Sequence, residues 1–206
     1  YYGVPTIQRN AYGGGEGGAV NGAAHLTVNN GYVGYEYKYD ETDSKWIYED
    51  KINDETYYEN EKYAGDNRLR DCGNVFGAGY DDKSSSDFTD IKIYGGVIRG
   101  SLYGGGEIAT IGRGSNDNID NKVSIFKAGE THIYMYNGHV MRNVFGAGKG
   151  YNPLGYGGAH NLHTDGYVFG QTEVYIHGGE IGTAEGIAKE YGNVFGGGDI
   201  GYVYSS

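Results

Sequence analysis

Apolar residues recur along this chain in two short phrases rather than in an even rhythm. The first is an apolar residue, an aromatic ring, then Gly-Gly-Gly or Gly-Ala-Gly. It occurs as Ala11-Tyr12-Gly13-Gly14-Gly15, Val75-Phe76-Gly77-Ala78-Gly79, Leu102-Tyr103-Gly104-Gly105-Gly106, Val144-Phe145-Gly146-Ala147-Gly148 and Val194-Phe195-Gly196-Gly197-Gly198. The second reads apolar-x-apolar-x-x-Gly-x-Val/Ile, with copies at Leu26/Val28/Gly31/Val33, Ile91/Ile93/Gly96/Ile98, Ile133/Met135/Gly138/Val140 and Val174/Ile176/Gly179/Ile181. Its apolar positions alternate, a period of two that predicts strands with one buried face. The glycine that follows permits a tight bend, and the closing Val or Ile begins the next face. No stretch carries a helical stripe; Ala184 to Tyr191 fits a short helical turn at most.

Fixed phrases on elastic spacers predict a coil-by-coil repeat in which each unit stacks only on its neighbours. The expected fold is all-β, a parallel β-solenoid of about five coils carrying loop and hairpin extrusions, with residues 1–206 forming one domain. The closest pair of first phrases, Val75 and Leu102, lies 27 residues apart, which suits one coil of two or three strand faces. Val33 to Val75 is 42 residues, whereas Ile98 to Leu102 and Val140 to Val144 are 4 each, so 38 residues leave the coil there. That block, about 34–72, is acidic and Tyr-rich with Trp46 near its middle, and is expected to fold as a hairpin arm. Smaller extrusions are expected near 113–122, 149–165 and 182–191. Val123-Ser124-Ile125 reads as an extra strand, and Val168-Phe169-Gly170 as a degenerate first phrase.

Composition narrows the class. The 40 Gly come with only 2 Pro, which excludes collagen-like and Pro-rich chains, and 15% aromatics with 23 Tyr exclude a disordered tail. Hydrophobic content of 38% suits a narrow core. The formal charge of -11 argues against nucleic acid and anionic membranes as partners. No apolar run is long enough for a membrane helix. Cys72, the single cysteine, lies three residues before Val75 and is expected in the coil core. The chain starts at Tyr1 without a leader, so a secretion signal, if one existed, is expected to have been removed.

Five coils at about 4.8 Å make a rod about 24 Å long, with unpaired strand edges at both ends. Neither end carries a polar cap pattern, so the chain is expected to continue in a longer parent or to dock onto copies of itself. Head-to-tail docking that does not close yields a filament. Tyr2, Tyr12, Phe195, Tyr202 and Tyr204 are the expected end contacts. If Ile91 and Ile93 point inward, Lys92 and Tyr94 point outward. One outward row then reads Thr27, Lys92, Tyr134, Tyr175 and the next Asn29, Tyr94, Tyr136, His177. Such rows reinforce the lattice or offer a contact face for a partner chain or for sugar rings.

Chemistry-bearing motifs are sparse. Gly13 to Gly18 fit a dinucleotide fingerprint but recur as a turn with no helix following. Gly146-Ala147-Gly148-Lys149 lacks the first glycine and the hydroxyl of a phosphate loop. No metal site is assigned. The weak candidates are the His160, His163 and Asp165 loop and the half calcium loop containing Asp117 and Asp120. No cofactor is expected; the one candidate weighed against that reading is a structural calcium held by loop oxygens. Polysaccharide enzymes on β-helices use paired carboxylates; here Glu173 and Glu180 have no counterparts in register, so no enzyme is expected.

The alternation of "NVFGGG" with "TEVYIHGGEI" resembles the glycine-rich repeats of secreted or surface-anchored β-solenoid proteins of Bacteroidales-type bacteria. The likeness covers the phrases, about a third of the chain, and not the extrusions. It implies an extracellular or cell-surface, non-enzymatic, adhesin-like or fibre-forming role. The expectation is a filament subunit whose partner is itself. The alternatives are an adhesin fragment binding glycans through its tyrosine rows and, behind that, a polysaccharide-active enzyme.

Overall fold

A computed structural model of the chain describes residues 3–35, 72–112, 128–150, 166–183 and 191–204, together with the backbone of three strands between 37 and 58. All its elements are strands. In chain order they are β1 (Thr6–Ile7), β2 (Ala11–Tyr12), β3 (Val20–Val28) and β4 (Tyr32–Val33), then β5 (Tyr37–Asp40), β6 (Lys45–Asp50) and β7 (Glu55–Tyr58). Next come β8 (Val75–Phe76), β9 (Ser85–Ile93), β10 (Val97–Ile98), β11 (Leu102–Tyr103), β12 (Thr110–Ile111) and β13 (Gly129–Met135). The last are β14 (His139–Val140), β15 (Val144–Phe145), β16 (Gly170–Ile176), β17 (Glu180–Ile181) and β18 (Val194–Phe195).

Three parallel sheets hold all of these but β5–β7. The first runs β1-β4-β10-β14-β17, the second β2-β8-β11-β15-β18, and in the third β3, β9, β13 and β16 lie side by side. The chain visits the three sheets in the same cyclic order on every pass. Strands within a sheet stay in register, so Leu26, Ile91, Ile133 and Val174 form one line and Val28, Ile93, Met135 and Ile176 another. Ile7, Val33, Ile98, Val140 and Ile181 do the same in the first sheet, and Ala11, Val75, Leu102, Val144 and Val194 in the second. These lines meet in a narrow apolar core, as the low hydrophobic content requires. Ile7 stands at the exposed end of its line, with Pro5 where the second phrase has its glycine.

The spacers leave and re-enter at touching glycines. A Cβ on Gly34 would come within 2.6 Å of the Gly73 Cα, and one on Gly182 within 2.6 Å of the Gly192 Cα. All four hold positive φ between 85° and 106°, where a side chain is strained. Adding a Cα–Cβ bond to that distance places the Gly34 and Gly73 Cα atoms within about 4.1 Å, close to the 3.80 Å of bonded neighbours. Residues 35–72 are therefore an excursion from a path that closes without them. Within it β5, β6 and β7 pair as an antiparallel sheet. Cys72 is buried where the arm rejoins the core.

One expectation is corrected. Val168-Phe169-Gly170 is not a first phrase: Val168 bridges Ile111 and Val203 and leads into β16 of the third sheet. Gly170 there opens a strand, because Gln171 and Thr172 follow it where a first phrase would turn on further glycine. The third pass through that sheet is one line in two pieces, β12 and β13 lying in turn along β9, and a Cβ on Gly129 would sit 2.8 Å from the Gly112 Cα. The proposed strand 123–125 and most of the proposed turn at 184–191 lie outside the described residues.

Candidate functional site

The aromatic of each first phrase stacks on the next. Tyr12, Phe76, Tyr103, Phe145 and Phe195 form one column with ring centroids 4.8–5.0 Å apart and nearly parallel planes. The spacing equals that between hydrogen-bonded strands, so it follows from register. Phe76 is fully buried, whereas Phe195 at the end of the column is 43% exposed. The same gradient runs down the aliphatic lines: Val33, Ile98 and Val140 are buried while Ile7 is 45% exposed, and Val75, Leu102 and Val144 are buried while Val194 is exposed. The lines are closed in their middle and half-buried to exposed at their ends.

A polar ladder missed in the sequence runs beside the ring column. Asn10, Asn74, Ser101, Asn143 and Asn193 each precede a first phrase. The Asn74 N–H donates to Asn10 Oδ1 (2.9 Å), the Ser101 N–H to Asn74 Oδ1 (2.8 Å) and the Asn193 N–H to Asn143 Oδ1 (3.0 Å). On the other side, the Thr89 and Thr131 hydroxyls donate to the Gly104 and Gly146 carbonyls at 2.6 Å, and Thr172 to that of Gly196 at 2.5 Å. Each bond ties one pass of the chain to the next. The recurrence of Asn just before the apolar–aromatic pair was the readable signal.

The glycine turn supports a half-buried cluster. The Tyr12 hydroxyl donates to Glu107, which also accepts from Lys149 Nζ at 2.9 Å; Tyr103 donates to Asp199 at 3.4 Å. Burial, followed by the Glu107 charge, pushes the Tyr12 phenol well above its usual range, and burial followed by Asp199 does the same to Tyr103. Both phenols remain neutral donors across the physiological range. The cluster joins residues 95 apart in sequence, so no local motif reveals it.

The residues of the outward rows lie side by side in the third sheet. Lys92, Tyr134 and Tyr175 are neighbours in register, with Thr27 beside Lys92. Tyr134 stacks on Tyr175 at 5.0 Å, Tyr94 on Tyr136 at 4.9 Å and Tyr136 on His177 at 5.1 Å, with planes within 8°. The faces of these rings are therefore turned to one another, and their edges and hydroxyls face out. A third outward line was not read from sequence: His25, Asp90, His132 and Glu173 alternate base and acid. His25 Nδ1 lies 3.2 Å from Asp90, and His132 Nε2 3.3 Å from Glu173 and 3.6 Å from Glu130. It becomes visible only once register pairs residues some forty to sixty-five positions apart.

Of the expected end contacts, Tyr12 and Phe195 terminate the ring column. Tyr202 and Tyr204 are exposed and flank Val203 in the third sheet, edge-on to Tyr167 (5.2 Å) and Phe169 (6.4 Å). Tyr2, His160, His163, Asp165, Asp117 and Asp120 lie outside the described residues. Among the described residues no group of three or more His, Cys, Asp or Glu is placed to hold a metal ion. Compared with family models, curated proteins and solved structures, the chain finds no match.

Proposed function

We propose that the chain is a parallel β-solenoid of about five coils that serves as a structural unit of an extracellular or cell-surface filament, stacking end to end on copies of itself. The three parallel sheets, visited in constant order and in register, support the solenoid. The observation that carries the assembly is that the core lines are buried in their middle and less buried at their ends, where Ile7, Ile176, Val194 and Phe195 are exposed and Ala11, Tyr12 and Ile181 half-buried. Apolar side chains and strand edges left open together favour a further layer of the same pattern.

The fit is specific. Stacking a second copy on β17 and β18 sets its Ile7 over Ile181, its Ala11 over Val194 and its Tyr12 over Phe195, continuing the ring column at the spacing it already has. Its Asn10 N–H would meet Asn193 Oδ1, extending the asparagine ladder. Such an end-to-end interface is heterologous and does not close, so it propagates. The role is mechanical rather than catalytic, and the location rests on the repeat resemblance.

Glycan binding through the tyrosine rows finds less support. Sugars stack on ring faces, and here neighbouring rings cover those faces. Negative-stain imaging of the purified chain tests the assembly: fibres are expected, and monodisperse particles at high concentration would refute it. Phe195→Asp places a charge in the ring column at the junction and is expected to abolish fibres while leaving the strand signature in circular dichroism unchanged. Fibres persisting in that variant would remove the proposed contact.

A further inference from the structure

The outward rows bring phenols together as well as rings. Tyr94 follows β9 and Tyr136 follows β13, strands that pair in register. Their rings lie 4.9 Å apart with planes 7° from parallel. Both strands lie inside the third sheet, with β3 beside β9 and β16 beside β13. The two rings, 47% and 40% exposed, therefore open sideways and not toward either end of the stack. His177 covers the other face of Tyr136 at 5.1 Å, and Tyr134, two residues along the chain, stands 6.4 Å away. Tyr94 is the phenol that faces Tyr136.

This pair differs from the other stacked tyrosines. In the buried column Phe76 separates Tyr12 from Tyr103. Tyr134 and Tyr175 stack at 5.0 Å, but Tyr134 is half-buried and the Tyr175 hydroxyl donates to Glu173 at 2.9 Å. Among the described residues no hydrogen bond holds the hydroxyl of Tyr94 or of Tyr136, so neither ring is tethered at its outer end.

We propose that Tyr94 and Tyr136 form a modification site, at which a haem peroxidase acting with hydrogen peroxide couples the two rings into a dityrosine. Each phenol gives up one electron and its proton and becomes a phenoxyl radical, whose unpaired electron is shared with the ring carbons beside the oxygen. A carbon–carbon bond forms between one such carbon on each ring. The hydrogen on each of those carbons then moves to the phenoxyl oxygen, which restores both phenols. The pair loses two electrons and two protons, and one hydrogen peroxide becomes two waters. Matching atoms of rings stacked at 4.9 Å have to close to about 1.5 Å, a carbon–carbon bond length. Each ring covers half of that gap by tilting, which exposed and untethered side chains allow. The bond joins residues 42 apart in sequence across two layers. It restricts the unfolded chain as a disulfide does, a staple that one buried cysteine cannot supply. The site needs the in-register sheet but not end-to-end stacking.

The test treats the dilute full chain with a haem peroxidase and limiting hydrogen peroxide, then digests it with trypsin. Cleavage releases peptide 93–99, whose one tyrosine is Tyr94, and peptide 128–142, which holds Tyr134 and Tyr136. Mass spectrometry is expected to find the two joined with the loss of two hydrogens. Tyr94→Phe and Tyr136→Phe, which keep the stack, should each abolish that joined pair, whereas Tyr134→Phe and Tyr175→Phe should leave it. A mixture of heavy-isotope-labelled and unlabelled chains should give joined peptides of one label only. Absence of the pair, its loss in Tyr134→Phe, its persistence in Tyr136→Phe, an equal yield from chain unfolded in urea, or pairs of mixed label would each overturn the inference. The readout lies within single chains: a failure to form fibres leaves the cross-link standing, and a failure to cross-link leaves the stacking standing.

Discussion

The threonine-to-glycine bonds allow a sharp test of whether layers are held by buried polar ties. Thr89 and Thr131 are fully buried and their acceptors, the Gly104 and Gly146 carbonyls, are buried too, with donor–acceptor distances of 2.6 Å. Replacing either by Val keeps the shape and removes the donor. A buried carbonyl left unbonded costs about 1–3 kcal/mol, and a methyl cannot approach an oxygen as closely as a hydroxyl does, so about 2 kcal/mol or somewhat more is expected. Thr172 makes the same bond to Gly196, but that carbonyl is exposed and water replaces the lost donor. Thr172→Val should therefore cost under about 0.5 kcal/mol, as surface changes usually do. The first line member is Ala24, opposite Thr89 in register and itself buried. Ala24→Thr would supply the hydroxyl that its layer lacks and is expected to stabilise by up to about 1 kcal/mol, the usual net worth of a hydrogen bond.

For a chain of this length 1 kcal/mol shifts the midpoint by about 2–4 °C, so Thr131→Val should lower Tm by about 4–8 °C and Thr172→Val by less than about 2 °C. Stacked repeats interact only with their neighbours and can open locally. Amide exchange at Gly146 and its neighbours, read beside the melting curve, then locates the loss. Equal losses at Thr131 and Thr172, or none at Thr131, would refute the account of the layers as tied by buried hydroxyls.

Other outcomes follow from the same geometry. A Cβ on Gly105 would lie 2.7 Å from the Gly148 nitrogen, whereas one on Gly197 meets nothing within 4 Å; Gly105→Ala should lower Tm sharply and Gly197→Ala by a degree or less, and similar values would contradict the close approach. Burial raises the Asp90 carboxyl, but hydrogen bonds from Lys92 (2.6 Å) and His25, with their charges, outweigh it and hold it below its ordinary value. Its contribution is full above the ordinary value of about 3.9 and is lost as pH falls through the lower native one. The Tm gap between wild type and Asp90→Asn should therefore shrink from pH 6 to pH 2.5, and a constant gap would refute the pairing. Deleting residues 35–72 and joining Gly34 to Gly73 should leave a folded chain with parallel-sheet circular dichroism; an unfolded product would show that the arm is needed for the layers.

Alternation made much of this fold readable. Ile91 and Ile93 declared a strand, and the lines they share with Ile133 and Met135 need only equal phrases to fall into register. The outward rows through Tyr134 and Tyr136 followed from the same parity. Ile7 was hidden because a two-residue strand has too few positions to show a period. Val168 misled because Val-Phe-Gly shares three residues with a first phrase while lacking the second glycine that makes the turn. The Glu107 cluster and the alternation from His25 to Glu173 depend on which passes lie side by side, and that is a property of stacking which a local reading of residues does not contain.

The spacers of unequal length have a physical explanation in the glycine pairs. Gly34 and Gly73 stand at nearly bonded distance, so the layer is complete at Val33 and resumes at Val75 whatever lies between. Val33 and Val75 are 42 residues apart and Ile98 and Leu102 only 4, yet Val33 pairs with Ile98 and Val75 with Leu102 in unbroken register. Loop-closure entropy grows only with the logarithm of length, and most of it is avoided when the closed ends already touch. Sequence between the pairs is thereby released from the geometry of the layers. The repeats must keep their columns, while the excursions are free to vary in length and chemistry, and the acidic, tyrosine-rich arm is the largest use of that freedom in this chain.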